Sequence, residues 1–581
     1  PYASDRHHTF ILQGARDVQR AFGDKKIAYL LHVERPGYRG PHLRTLAQRA
    51  AVVITEDMPT EPLRSWTVAL SRVLTCSIFA VDTACVVPMQ LVGKSFERAF
   101  AFRNATKKLY AERVSSGPSD FQPITAPPSS FDLPFEPIDL QRRDIASLVS
   151  QCEIDHSIGP VPHTPGGSIA GYERWQHFKE NGLSSYGRRR NNPLIDGVSR
   201  MSPYLHYGMV APTRIAREAA AEKSKGAEKF LDELLIWREL AYVFCPYRRD
   251  HGRISAIPNW ARETLREHKN DPRELLSWET ISRGRTSDSI WDSAQRSLLI
   301  HGELHNNVRM TWGKAFLEWT PDANRALARL IDLNHRYALD GRDPASYGGI
   351  LWCLGQFDRP FSPSQPVFGT VRTRSTQQHA RRLDPVAYRR KVTRPLWEPT
   401  PKVAVIGAGI SGLICARTLA DHGCDVAVYE KSRGVGGRMS TRRVDNILSF
   451  DHGAQYFTTR DVRFKRYVRS WVDDGLVQPW NGRIVVVENG VVKAEKTADN
   501  RYVAVPGMSS LAKHLASDLS VQFETRVAPP NRCGDKWLLT NDDGVELGQF
   551  DVVVVAVPSH QAATLLTAAP LLSELSSSVK M

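Results

Sequence analysis

Residues Lys402–Lys431 read KVAVIGAGISGLICARTLADHGCDVAVYEK. A short apolar run enters Gly407, Gly409 and Gly412, a helical stretch follows, and a second apolar run ends at Glu430. This is the strand–turn–helix–strand order of a dinucleotide-binding α/β unit, with the acid about 20 residues past the turn. Gly407 allows the tight turn and Gly409 lets a pyrophosphate approach the backbone. Gly412 lets the helix pack on the strand, and Glu430 is placed for the adenosine ribose. A bare GxGxxG is a weak signal. With both strands, the helix and the acid in place it is strong.

One such unit cannot account for 581 residues, and length alone suggests three or four domains. Residues 1–115 alternate helical patterns with apolar runs, and Ile27–Val33, Ala51–Ile54 and Cys76–Val81 read as buried parallel strands. Residues 116–164 read as a linker, because Ser115–Pro137 is rich in Pro and Ser. Residues 165–395 read as all-α, with the longest helices over Leu231–Tyr247 and Trp291–Trp319. A second α/β domain covers 400–581. The predicted class is therefore multidomain: an α/β domain, an all-α domain, then an α/β Rossmann-type domain. The chain opens on Pro1 rather than Met, so its true start is expected to be missing or processed.

The formal net charge is +15, which favours a polyanionic partner, most often nucleic acid. No run of about 18 apolar residues exists to span a membrane. The 8 cysteines are scattered without a C-x-x-C pair, so no metal site and no disulfide framework is indicated. Reduced core thiols suit a cytoplasmic protein.

Three stretches of the helical region carry candidate chemistry. In YGRRRNNPLIDGVSRMSPYL, Ser199 and Ser202 flank Arg200 and Met201 just ahead of a helix, which suits a phosphate or an ordinary cap. In DELLIWREL, Glu233 and Trp237 are spaced to share a helix face, where an acid is costly without a partner or a task. Trp312 and Trp319 are spaced to stack along one face, and such tryptophans are more often core than redox relay.

The blocks SRMSPYLHYG, ELLIWRELA, WDSAQRSLLIHGELHNNVRMTWGKAFLEW and LNHRYALDGRDPASYGGILW, then FDRPF and FGTVR, resemble the photolyase–cryptochrome family in the family's order. They are most similar to the class II cyclobutane pyrimidine dimer photolyases, over about residues 1–395. The resemblance implies an FAD in the helical domain. Tyr186, Ser199, Met201 and Ser202 would hold its phosphates and ribityl chain. Asn306, Arg309 and Asp340 would line the flavin, and Asn334 would sit by N5. Glu233, as a neutral acid, would hydrogen-bond the dimer. Trp237, Trp352 and Met310 would pack on it, and Trp291, Trp312 and Trp319 would form the photoreduction relay. Val198 and the run GELHNN depart from the family text. The first strand of the antenna-type domain is expected to be missing, so the antenna chromophore stays unassigned.

Behind the fingerprint, RGVGGRMSTRR with Arg438, and DHGAQYF, resemble FAD-dependent amine-oxidase-like and renalase-like oxidoreductases. A second FAD is implied there, in a domain expected to be truncated. The expected partner is UV-damaged DNA and the expected state monomeric. The alternatives are a cryptochrome-like light receptor on the same fold, and an oxidoreductase with a vestigial first part.

Overall fold

Among the described residues, parallel strands early in the chain form only as a pair. In the computed structural model, which describes residues 2–116, 132–444, 448–482, 484–496 and 501–568, Val52–Glu56 lies parallel to Ser77–Val81. The two strands are not buried as expected: the paired Ile54 and Phe79 are 68% and 58% exposed. The predicted strand at Ile27–Val33 is absent. The Leu31 carbonyl there accepts from the Ile138 N–H at 2.9 Å instead of from a neighbouring strand.

Two units divide the chain: Pro1–Leu276 with Thr286–Val392, and Ser277–Arg285 with Thr393–Met581. The first takes in both the predicted α/β and all-α regions. Arg6, in the opening helix Asp5–Asp24, is buried and donates to the carbonyls of Leu298, Leu299 and Tyr337. Glu239 is fully buried and accepts from the Val86 and Val87 N–H groups and the Tyr110 hydroxyl. Burial, partly offset by those bonds, raises its carboxyl to about 7.

The predicted linker is also corrected. Leu140, Ile145, Leu148 and Val149 are buried in one cluster with Leu12 of the first helix. Asp144 caps the helix Ile145–Ser150 by accepting from Ser147 N–H at 2.7 Å. Residues 117–131 of that linker lie outside the described residues.

The long helices predicted further on are both interrupted. Asp232–Arg238 forms a π-helical turn before Glu239–Tyr247, and such turns occur often at functional sites. Trp291–Trp319 is split into Ser289–His301 and Asn306–Trp319. Gly302 ends the first in the left-handed region (φ 62°), and the His305 side chain caps the second.

The second unit is Rossmann-like. Its parallel sheet runs Ser520–Gln522, Asp425–Tyr429, Lys402–Ile406, Val552–Val555 in spatial order. Val405, Leu413, Val428, Trp471 and Leu511 are in its core. The short helix Trp278–Ser282 belongs to this unit. There the Glu279 carboxylate, 3% exposed, accepts from Trp471 Nε1 at 2.8 Å and pairs with Arg417 at 2.9 Å and His514 at 3.3 Å. Burial pushes the Glu279 carboxyl up, but His514, Arg417 and Arg283 hold it below its ordinary value. Arg283 grips both oxygens of Asp421, at 2.6 and 3.1 Å.

Candidate functional site

Three of the predicted flavin-lining residues meet in the first unit. Arg309 comes from the helix Asn306–Trp319 and donates through Nη1 to Asn334 Oδ1 at 3.1 Å. Its Nη2 lies 3.7 Å from Asp340 Oδ2. Asn334 is 1% exposed, near the end of Ala323–Tyr337, and Asp340 is in the loop that follows. That loop leads to Asp343, which accepts from His206, Tyr242 and the Ala345 N–H and so caps the helix Pro344–Cys353.

The surroundings suit an anionic, polar cofactor. His305 is buried at Nε2 with no hydrogen-bond partner. Burial, then the charges of Lys391 and Arg200, hold it at about 4, a neutral ring beside cations. Unpartnered buried polar atoms need a missing ligand or strain to explain them, and Tyr207 Oη and His335 Nε2 are in the same state. Met201 is buried, and Ser202 opens the helix Ser202–His206 beside it, with Ser199 just upstream. Tyr186 is buried at the start of Tyr186–Arg189. Asn306 opens its helix but is exposed, and Met310 is half-buried.

Glu233, expected to need a partner or a task, has two partners. Lys229 Nζ lies 2.7 Å and Arg190 Nη2 3.0 Å from its Oε1. Arg190 also stands over the Tyr186 ring, 5.5 Å from its centroid. Arg190 and Lys229 come from different segments, and the ion pair is what lets the carboxylate sit beside an apolar helix. On the same π-turn, Trp237 stacks on Trp352, with ring centroids 4.6 Å apart and planes 9° from parallel. The two predicted walls of the dimer pocket therefore face each other.

The predicted relay residues also lie together. Trp312 and Trp319 do not simply stack along one helix face: Trp291 contacts both. Its ring is 6.1 Å from Trp312, stacked at 7°, and 4.9 Å from Trp319, edge-on at 80°. Trp291 Nε1 donates to the Trp312 carbonyl and Trp312 Nε1 to Gln295, both at 2.9 Å. All three are buried, so packing alone would also explain them.

In the second unit a cleft of about 860 Å³ opens at the glycine turn, lined by Gly407, Gly409, Glu430, Gly437, Arg438 and His452 among others. Gly407 has φ +107°. A Cβ on Gly409 would meet nothing within 4 Å, so that edge is open to a ligand. A Cβ on Gly412 would collide with the Gly407 carbonyl oxygen. Glu430 is buried and accepts from Ala408 N–H and Ser432 N–H, each at 2.9 Å. The arrangement fits a dinucleotide, with the acid braced against the turn that would carry the pyrophosphate.

Comparisons with known proteins divide the same way. Residues 405–471 match the NAD(P)-binding Rossmann-like domain and residues 486–579 the flavin containing amine oxidoreductases. The chain is 29% identical over 374 residues to the deoxyribodipyrimidine photo-lyase of Methanothermobacter thermautotrophicus, covering 64% of this chain and 80% of that protein. To the protein of that name in Potorous tridactylus it is 28% identical over 400 residues, covering 67% and 73%. A bacterial class III photolyase from Agrobacterium tumefaciens superposes with a TM-score of 0.50 at 16% identity, covering 67% of this chain and 78% of that one. A Synechocystis cryptochrome does so with the same score and identity, covering 68% and 79%. At that identity the solved structures establish the fold alone. The N-terminal region of this chain is homologous to the photolyase–cryptochrome family, and a Rossmann-like domain related to the flavin containing amine oxidoreductases follows it.

Proposed function

We propose that this protein repairs cyclobutane pyrimidine dimers in UV-damaged DNA with light, in the manner of the class II photolyases, as a cytoplasmic monomer. Both families it resembles bind FAD, and a second FAD fits the C-terminal cleft. The observation that carries the reading is the meeting of Arg309 with Asn334 and Asp340, from two separate blocks of sequence, at one polar site. When bound and reduced, FAD would supply under light one electron to the dimer and regain it after the ring opens, with no net oxidation.

The chain's own residues bind and position. Tyr186, Ser199, Met201 and Ser202 would hold the phosphate side of the cofactor. Arg309 and Asp340 would line the flavin, with Asn306 at its rim, and Asn334 would sit by N5. Trp237, Trp352 and Met310 receive the flipped dimer, each stacked base being worth about 1–3 kcal/mol against the cost of unstacking. Glu233, steadied by Arg190 and Lys229, orients the base edge as a fixed hydrogen-bonding group. The appended domain is read as an FAD-dependent oxidoreductase.

Blue light on the reduced, full-length protein with a dimer-containing duplex is expected to restore the pyrimidines. Dimer binding without repair would instead favour the light-receptor reading. Binding should also weaken linearly in log–log terms as salt rises, because exposed Arg381, Arg382, Arg389 and Arg390 suit phosphates. An affinity unchanged between low and moderate salt would defeat that account. For the relay, Trp312→Phe is expected to slow photoreduction of oxidised flavin strongly while pre-reduced enzyme repairs nearly as before. Equal loss of both activities would make Trp312 a packing residue.

A further inference from the structure

Lys314 is a buried cation outside the cofactor and dimer contacts proposed above. It lies in the helix Asn306–Trp319, is 2% exposed, and donates through Nζ to the Cys353 carbonyl at 3.0 Å. Cys353 is the last residue of the helix Pro344–Cys353 and directly follows Trp352. The two helices approach closely at this point: a Cβ on Gly313 would run into Cys353 Sγ. The last carbonyls of a helix have no partner within it and carry its negative pole. An ammonium placed there satisfies one of them and complements the dipole. Burying that ammonium is expensive, and a methionine would fill the same space without the expense.

The charged and titratable groups that face Lys314 are the Cys353 thiol, the Asp358 carboxylate, and the guanidinium groups of Arg372 and Arg374. We propose that Lys314 is a positioning residue for Trp352: by anchoring the end of the helix Pro344–Cys353 it holds that indole in its stack on Trp237. The role in repair rests on the reading above, in which these two indoles receive the dimer. The anchor itself is testable without DNA.

Burial first, with Arg372 and Arg374 adding to it against Cys353 and Asp358, brings the amine down to about 8. A lysine lowered in the folded state leaves the unfolded chain holding more protons between that value and the ordinary one. The charged amine therefore costs stability at pH 7, and the cost fades as pH rises through that window. Order of the indole pair should move the other way, fading as the ammonium is lost. A purely structural lysine would move both together.

The pair is read as the near-ultraviolet circular dichroism of the full-length protein minus that of its Trp352→Phe variant. This signal is expected to halve near pH 8 in the wild type. It should be several-fold weaker at every pH in Lys314→Met, which should melt no lower than the wild type at pH 7. In Lys314→Arg it should persist to high pH. A full signal in Lys314→Met, whatever its melting temperature, overturns the proposal. Should Lys314→Met fail to fold, a wild-type signal constant up to pH 10 overturns it as well. In a parallel arm, the affinity ratio of dimer-containing to undamaged duplex is expected to fall about tenfold in Lys314→Met, the worth of one charge-assisted hydrogen bond. A wild type without any such ratio would fail the repair reading, while the dichroism would still decide the role of Lys314.

Discussion

Glu279→Ala is expected to lower the melting temperature of the C-terminal unit by roughly 10 °C, from a loss of about 3–5 kcal/mol. The substitution removes the acceptor of Trp471 Nε1 and strands the Arg417 guanidinium, whose side chain is only 6% exposed. An uncompensated buried charge costs far more than the pair contributes while intact. The double variant Glu279→Met with Arg417→Met is therefore expected to recover most of the loss, because neither charge is then left alone. Calorimetry on the full-length chain separates the outcomes. A single substitution that shifts melting by less than about 2 °C would mean that water reaches Arg417 and that the network is dispensable.

Gly412→Ala is expected to empty the C-terminal cleft, so that flavin content falls from two per chain toward one. Its new methyl would collide with the Gly407 carbonyl and crowd the Ala556 side chain, 3.2 Å away. Since neither backbone can retreat without breaking the turn, melting should fall as well. Gly409→Ala is the matched contrast. Its methyl meets no protein atom within 4 Å and points to where the pyrophosphate would lie. It should keep the melting temperature and lose the same flavin. Absorbance per chain after gel filtration measures both, and two flavins retained in both variants would show that the dinucleotide lies elsewhere.

The contrast between those glycines explains what could be read in advance. The Lys402–Glu430 fingerprint is legible because each of its demands is local: a turn at Gly407, a close packing at Gly412, an acid at the end of the next strand. The tryptophans and the Arg309–Asn334–Asp340 group were legible only by resemblance, since nothing in their spacing brings separate helices together. The partners of Glu233 were not legible for a related reason. Its two cations are Lys229, one turn away, and Arg190, in another segment. The apolar run Ile27–Val33 has strand composition, but its hydrogen-bonding partner is at Ile138, and a single backbone bond does not make a sheet. Periodicity also cannot register the extra residue of a π-turn, so Leu231–Tyr247 read as one regular helix.

Synthesis gives the Ser277–Arg285 segment a peculiar timetable. Arg283 leaves the ribosome 235 residues before Asp518 and 138 before Asp421, the carboxylates it binds. At about 5–20 residues per second, it waits roughly 10–50 s for the later of them. Glu279 likewise waits 138 residues for Arg417 and 235 for His514, and the segment must stay solvated while the chain on either side of it folds. Messages truncated or slowed within the last domain should therefore yield a first unit with a loose, protease-accessible loop at 277–285. Limited digestion of such products would show the cut there, and full-length protein would be protected at the same bonds.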